Sequence, residues 1–260
     1  MTRIKPAILF GAFRFLAVAG ALAIVAASPS LASNPVTFAQ YTQTNGAAQT
    51  WSIATSGTTT TITDTAAVNF TFSGITGLPF SGPQAATLTL TATSGSAGDC
   101  GVSCGAGDSL TQFGYTGMFQ FTDTALGTDL LSGVFAVTGS PSTTGAQFES
   151  FIGSSGGSFD ASATAGNLSQ LVLASHYLVL AGQTQENASF SLSSLVPNFA
   201  VGTITANTAY PAAGPFAASG TGTFSSNPGP TATPEPATFA MIGGGLIGFG
   251  VLRRRKIARS

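Results

Sequence analysis

The chain has 260 residues, of which 43% are hydrophobic and 7% are charged, so it contains ample apolar material for a folded core. All eight lysines and arginines lie before residue 15 or after residue 252, and the stretch from Ser33 to Thr233 contains eight acidic residues and no basic one. That stretch therefore carries a formal charge of −8. This charge excludes functions in which positive side chains bind nucleic acid or anionic lipid headgroups.

The N-terminus has the pattern of a secretory signal peptide. Three cations in the first 14 residues precede 13 uncharged residues, Phe15 to Ala27, which are too few to span a bilayer comfortably. Small residues at Ser30 and Ala32 follow, so we predict cleavage after Ala32, with Ala27 as the alternative site. Residues 1–32 are therefore interpreted as a helical signal peptide that directs export. The alternative is an uncleaved membrane anchor.

Residues 33–225 are predicted to form an all-β domain, because polar and apolar residues alternate with period two and helix-forming Lys and Glu are scarce. A short helix is expected around Ala146 to Ile152 or after Gly166. The spacing of the strands favours a β-sandwich of antiparallel sheets, either jelly-roll or immunoglobulin-like. The predicted strands lie near residues 36–41, 50–54, 68–72, 86–93, 112–116, 118–123, 130–138, 171–180, 188–193, 200–205 and 220–226.

Cys100 and Cys104 are separated by three residues and lie among glycines. In an exported chain, an isolated pair this close in sequence favours a local disulfide. Because the closed loop is short, such a bond would stabilise one turn and contribute little to the whole fold. A redox or metal-binding role is the alternative, although redox pairs usually have two intervening residues.

The segment from Gly107 to Leu110 contains the letters GDSL and therefore resembles the GDSL hydrolases, in which the serine is the nucleophile. A serine nucleophile needs an imidazole to accept its proton, and that family supplies the imidazole from an Asp-x-x-His sequence. Here the single histidine, His176, has Leu173 three positions before it. We therefore predict that Ser109 lies in a turn before a strand, that His176 lies in a strand, and that the protein has no catalytic residues and is not an enzyme.

Metal binding is expected to be limited. One histidine and two cysteines do not provide the ligands of a structural zinc site. Asp99 and Asp108, in a glycine-rich segment without basic residues, are the candidate oxygen ligands for Ca²⁺, and plain solvation of these carboxylates is the alternative. No other cofactor is expected.

The C-terminus combines three parts after a Pro/Ser/Thr-rich linker at residues 226–233. A Pro-Glu-Pro sequence precedes a predicted transmembrane helix at residues 237–252 and a basic tail at 253–260. As a helix, 16 residues rise about 24 Å, which is less than the hydrocarbon thickness of about 30 Å, so this anchor is weak and suits temporary retention. The basic cluster is expected to stay cytoplasmic and to place the Pro-Glu-Pro sequence on the far side of the membrane. The residues concerned are Pro234, Glu235, Pro236, Arg253, Arg254, Arg255 and Lys256.

In this order, residues 234–260 resemble the PEP-CTERM sorting signal of Gram-negative bacteria. The resemblance implies recognition by an exosortase, a membrane-embedded cysteine transpeptidase of species that make extracellular polysaccharide and biofilm. It also implies that the chain crosses the inner membrane, is held there transiently, and then reaches the cell surface or the extracellular space. A generic single-pass anchor is the alternative.

We therefore expect a surface-sorted structural or adhesive protein, associated with an exopolysaccharide or biofilm matrix and processed by an exosortase, with no nucleic-acid partner. One alternative is a carbohydrate-binding module, which predicts exposed aromatic side chains on one sheet face. Another is a secreted glycan-active enzyme, which needs only two carboxylates in a cleft. The aromatic candidates for sugar binding are Trp51, Tyr41, Tyr115, Tyr177 and Tyr210.

Overall fold

The structure is a computed structural model that describes residues 34–101, 103–135, 146–163, 170–205 and 209–233. These residues form sixteen β-strands and no α-helix. The strands are β1 (Val36–Gln43), β2 (Trp51–Ser56), β3 (Thr59–Phe72), β4 (Gln84–Ser94), β5 (Gly98–Asp99), β6 (Ser109–Asp123), β7 (Asp129–Phe135), β8 (Ala146–Phe151), β9 (Gly156–Ala163), β10 (Leu171–Ala174), β11 (Leu178–Val179), β12 (Gln185–Val196), β13 (Val201–Thr205), β14 (Ala209–Ala213), β15 (Phe216–Asn227) and β16 (Thr231–Ala232).

Eight strands close into an antiparallel barrel. Their order around the ring is β1, β3, β4, β6, β8, β9, β12 and β15, and β15 pairs with β1 to complete it. β7 extends the sheet from β6, and β10 pairs with β7. The predicted all-β class is confirmed, but the predicted sandwich is not what forms. Pairing between the first and last long strands joins the sheet into a ring, whereas a sandwich would leave two sheets facing each other.

β1 and β2 occupy the same position in the ring, one after the other. β1 pairs with β15 and with residues 68–72 of β3, and β2 pairs with β15 and with residues 59–63 of β3. The loop at residues 44–50 joins the two strands and leaves residues 64–67 of β3 without a neighbouring strand on that side. We call this break in the wall the β1–β2 corner.

Strict alternation explains which side chains fill the barrel. In β3, the even-numbered residues from Thr60 to Phe70 are buried, and their odd-numbered neighbours point outward. Aromatic rings fill the interior, as expected for an eight-stranded ring, which is just wide enough to be filled by side chains. Phe119 lies at the centre, with ring centroids 5.3–5.8 Å from those of Phe121, Phe135, Phe190 and Phe224.

Two segments in the middle of the chain differ from the sequence-based expectation. The helix expected around Ala146 to Ile152 is the strand β8, in which Ala146, Phe148 and Ser150 alternate inward. The strand β9 was not predicted, because it begins with two glycines and carries only one large apolar residue, Phe159. Part of the segment after Gly166 lies outside the described residues, and its described remainder contains the strand β10.

Gln112 is fully buried and lies at the centre of a polar network. Its Oε1 accepts hydrogen bonds from the Tyr115 hydroxyl at 3.0 Å and from the backbone N–H of Ala213 at 2.9 Å. Its Nε2 donates to the Ser96 carbonyl at 2.8 Å and to the Thr60 hydroxyl at 3.2 Å. The amide thus connects β3, β6 and β14 at one end of the barrel, and all of its hydrogen-bonding capacity is used.

The predicted linker at residues 226–233 is largely part of the folded domain. Ser226 and Asn227 belong to β15, and β16 pairs with β11. The backbone N–H of Thr233 donates to the Tyr177 carbonyl at 2.8 Å. The domain therefore extends to the residue that immediately precedes the Pro-Glu-Pro sequence.

Candidate functional site

The glycine-rich segment between β5 and β6 forms part of a shallow, open groove. Cys100 and Cys104 are joined by a disulfide, the pairing that their spacing predicts. This bond closes a short turn beside the groove, so it constrains a surface loop and does not link two strands of the barrel. The residues that line the groove are Asp99, Cys100, Gly101, Asp108, Ser109, Thr111, Phe113 and Glu149.

Ser109 does not have the surroundings of a serine nucleophile. The predicted turn is formed by Gly107 with a φ of 89°, and Ser109 follows it as the first residue of β6 and is not itself in the turn. Its hydroxyl donates to Glu149 Oε1 at 3.1 Å. His176 is exposed in the bend between β10 and β11, so the strand predicted for it is wrong. In the described part of the chain, no hydrogen bond joins His176 to Ser109.

Asp99 and Asp108 are occupied by their own turns. Asp108 accepts hydrogen bonds from the Gly105 N–H at 2.7 Å and from the Ser103 hydroxyl at 2.8 Å, and these bonds lower the pKa of its carboxyl. Asp99 accepts from the Gly101 N–H at 2.8 Å. No group of three or more His, Cys, Asp or Glu side chains that could hold a metal ion occurs among the described residues. Glu149 lines the same groove, but it forms no such group with Asp99 and Asp108.

The aromatic side chains proposed for sugar binding are mostly internal. Trp51, Tyr41 and Tyr115 are buried in the barrel, so the expectation that they form a sugar-binding platform is wrong. Each occupies an inward position of its strand and is therefore part of the core. Tyr177 is half-buried, and its hydroxyl lies 2.9 Å from that of Thr128. The side chain of Tyr210 lies outside the described residues.

The β1–β2 corner contains a polar cluster that sequence reasoning missed. Gln43 Oε1 accepts a hydrogen bond from the Gly220 N–H at 2.9 Å, and Gln43 Nε2 donates to Thr50 Oγ1. Asp64 faces the interior from β3 and is 2% exposed. Its position between the inward-facing Ile62 and Ala66 was the signal in the sequence, because an acid there must point into the core.

Several buried atoms of this cluster have no hydrogen-bond partner of good geometry among the protein groups. They are the Tyr41 hydroxyl, Trp51 Nε1 and both carboxyl oxygens of Asp64. Burial raises the pKa of Asp64 to about 6, while the adjacent Thr50 side chain and the Thr65 backbone N–H act in the opposite direction without reaching hydrogen-bond geometry. Burial, and then the nearby Asp64 charge, raises the pKa of Tyr41. Such orphaned groups are rare in protein interiors and indicate strain or chemistry.

The raised pKa of Asp64 predicts a pH-dependent stability. Since the folded state holds this proton more tightly than the unfolded state, Asp64 destabilises the fold as the pH rises from its ordinary value of 3.8 through about 6. The difference corresponds to about 3 kcal/mol at neutral pH. We expect the Asp64→Asn variant to gain about 3 kcal/mol relative to the wild type between pH 4 and pH 7.5.

Urea denaturation across this pH range measures that relative gain. Asp129 and Glu186, whose pKa values burial also raises, supply the pH dependence that remains in the variant. A difference between variant and wild type that stays constant with pH would contradict the assignment to Asp64.

The C-terminus supplies the link to a known family. A family model described as the PEP-CTERM protein-sorting motif matches residues 232–256. The chain carries a PEP-CTERM sorting signal. The resemblance drawn from Pro234, Glu235, Pro236 and the basic cluster is thereby confirmed. The PEP-CTERM signal implies an exported protein with an exosortase as its processing partner, a membrane-anchored C-terminal segment and delivery to the cell surface.

Comparison with curated proteins and with solved structures gave no significant match. Among the described residues, no helix has the length and hydropathy needed to cross a membrane. The signal peptide cleaved after Ala32, the Pro-Glu-Pro sequence, the helix at 237–252 and the basic tail lie outside the described residues. They stay predictions from the sequence, with the PEP-CTERM match as support for the C-terminal part.

Proposed function

We propose that this PEP-CTERM protein is a structural or adhesive component of an extracellular polysaccharide matrix. The observation that carries the proposal is the sorting motif at residues 232–256, which follows a folded all-β domain. In this proposal the domain is not an enzyme toward an external substrate and needs no cofactor. Its partner at the surface is a neutral polysaccharide.

A threonine-rich outer surface supports this assignment. Threonines of β3 and β4 face each other across the sheet, in the pairs Thr61–Thr93, Thr63–Thr91 and Thr65–Thr89. These six residues and the half-buried Thr87 form what we call the threonine face. They are exposed or half-buried, and no outward position of β3 or β4 carries a charge.

The chemistry of the threonine face fits a neutral sugar polymer. Each hydroxyl donates one hydrogen bond and accepts others, and each methyl group offers a small apolar contact. Neighbouring strands lie about 4.8 Å apart and alternate residues about 6.7 Å apart, so the hydroxyls form a regular array. A repeating polymer can satisfy such an array along its length. A neutral polymer also avoids repulsion by the eight carboxylates of the domain.

The Thr89→Glu, Thr91→Glu double variant tests this proposal. Two carboxylates would have to lose water against the polymer without a compensating partner, so we expect affinity for the neutral extracellular polysaccharide of the producing cell to fall about tenfold or more. Co-sedimentation of the purified full-length protein with that polysaccharide measures the change.

The matched control is the Thr221→Glu, Thr223→Glu variant, which changes two exposed threonines of β15 elsewhere on the ring. Its affinity should equal that of the wild type. If both variants bind as well as the wild type, or if the wild type does not bind, the adhesive assignment fails.

A further inference from the structure

The polar cluster at the β1–β2 corner brings together three groups that sorting and adhesion do not require. They are the side-chain amide of Gln43, the hydroxyl of Thr50 and the carboxyl of Asp64. An amide carbon is an electrophile, a hydroxyl is a nucleophile, and a carboxylate can accept the proton of that nucleophile. We propose that Thr50 Oγ1 attacks the amide carbon of Gln43 and that the folded protein thereby links these two side chains through an ester.

The nucleophile is placed against the bond that would break. Gln43 Nε2 donates its hydrogen bond to Thr50 Oγ1, and this nitrogen is bonded directly to the amide carbon. Rotation of the Thr50 side chain would bring the oxygen onto that carbon. The amide is held in place at its other end, because Oε1 accepts the hydrogen bond from Gly220, and such fixed geometry replaces the cost of a chance encounter.

Asp64 is suited to accept the proton of Thr50. The carboxyl is buried and lies beside the Thr50 side chain, and neither of its oxygens has a hydrogen-bond partner of good geometry among the protein groups. The sequence from Ser33 to Thr233 contains no lysine or arginine that could neutralise it. A desolvated carboxylate without a cationic partner is a stronger base than an exposed one. Contacts between a base and its nucleophile are often loose before reaction, so the imperfect geometry agrees with this role.

One N–H group lies where negative charge would develop. The backbone N–H of Gly220 already donates to Gln43 Oε1 at 2.9 Å, and it would stabilise the oxyanion formed on attack. The indole ring of Trp51 packs against the same glycine, where an added Cβ would lie 2.4 Å from Nε1, so a glycine at position 220 is needed to let the ring approach.

The reaction balances without a co-reactant. Asp64 takes the proton of the Thr50 hydroxyl as the new C–O bond to the Gln43 carbon forms. The C–N bond of the amide then breaks, and Asp64 returns the proton to the departing nitrogen, which leaves as ammonia. The products are one ester and one ammonia molecule, and nothing is oxidised or reduced. Thr50 is half-buried beside the exposed Gln49, so ammonia has a short path to solvent.

Mass spectrometry of the purified full-length protein tests the inference. After peptic digestion, the peptide containing residues 43–50 is expected to be about 17 Da lighter than its sequence, the mass of the lost ammonia. Backbone fragments between Gln43 and Thr50 should be missing, because the ester holds both halves together. Thr50→Val should restore the full mass, whereas Thr50→Ser, which keeps a hydroxyl, should retain the loss. Asp64→Asn should slow formation about 100-fold, the usual contribution of a general base.

The same loop contains a second route to the same mass change. Asn45 precedes Gly46, and an Asn-Gly pair can lose ammonia by closing on its own backbone. The control is therefore Asn45→Ala, which should leave the mass loss unchanged. A loss that disappears in Asn45→Ala and survives in Thr50→Val would overturn the proposal, and so would a peptide of full mass from the folded wild type.

Discussion

Replacing Pro234, Glu235 and Pro236 together by alanine is expected to leave the protein at full length in the inner membrane. In the wild type, the cations that follow the apolar segment stop translocation, because moving several charges through hydrocarbon costs more than the short segment gains. The two prolines keep Glu235 out of a regular helix or strand, so a membrane protease can reach it. Mature protein from the cell surface should therefore lack the residues beyond about Pro236.

Membrane fractionation and peptide mapping in a cell that possesses an exosortase measure this outcome. The control is the wild-type protein in the same cell without exosortase activity, which should also remain at full length. Recovery of the "GFGVL" segment in surface material from the wild type would show that the tail is a permanent anchor, and it would contradict the processing step.

The Gln112→Leu variant is expected to lose about 4 kcal/mol of unfolding free energy. Leucine has a similar volume but makes no hydrogen bonds, so the Tyr115 hydroxyl and the Ala213 N–H lose their acceptor inside the protein. The Ser96 carbonyl and the Thr60 hydroxyl also lose a donor, but Ser96 is half-buried and the Thr60 hydroxyl keeps its contact with Thr55 Oγ1 at 3.3 Å. Leaving the Tyr115 hydroxyl and the Ala213 N–H buried without this acceptor costs about 1–3 kcal/mol each, which gives about 4 kcal/mol together.

Urea denaturation at constant pH gives the size of this loss. Gln40→Leu on the outward face of β1 makes the same chemical change at an exposed position, and it should alter stability by less than about 0.5 kcal/mol. If Gln112→Leu lowered the unfolding free energy as little as Gln40→Leu, the network would not contribute to the stability of the barrel.

The period-two pattern predicted most of the strands and their faces, because alternation depends only on neighbours in sequence. It identified Val68 to Phe72 and Leu88 to Ala92 without any knowledge of pairing. It could not distinguish a sandwich from a barrel, since both have the same alternation. Closure depends on β1 meeting β15, such as Val36 opposite Ser226, and no local signal encodes a contact at that separation.

The candidate site was visible only in part. Asp64 stood at an inward position of an alternating strand, which marks it as a buried acid. The presence of Gln43 and Thr50 beside it depends on the register that places Gln43 opposite Val68, and on the corner loop that carries Thr50 back. Trp51 and Tyr41 were misassigned to the surface because aromatic residues serve both cores and sugar-binding faces.

Because Thr233 is hydrogen-bonded to the Tyr177 carbonyl, almost no linker separates the folded domain from the sorting signal. Only one peptide bond separates the folded domain from Pro234. An exosortase that acts at the Pro-Glu-Pro sequence must therefore approach to within a few residues of the folded domain. One possibility is that the active site of the exosortase is open at the membrane surface and can accommodate the domain. The other is that the short β11–β16 pair separates first, which would release a few more residues as extended chain. After cleavage, the few residues that remain beyond Thr233 would keep the domain close to whatever group the chain is joined to.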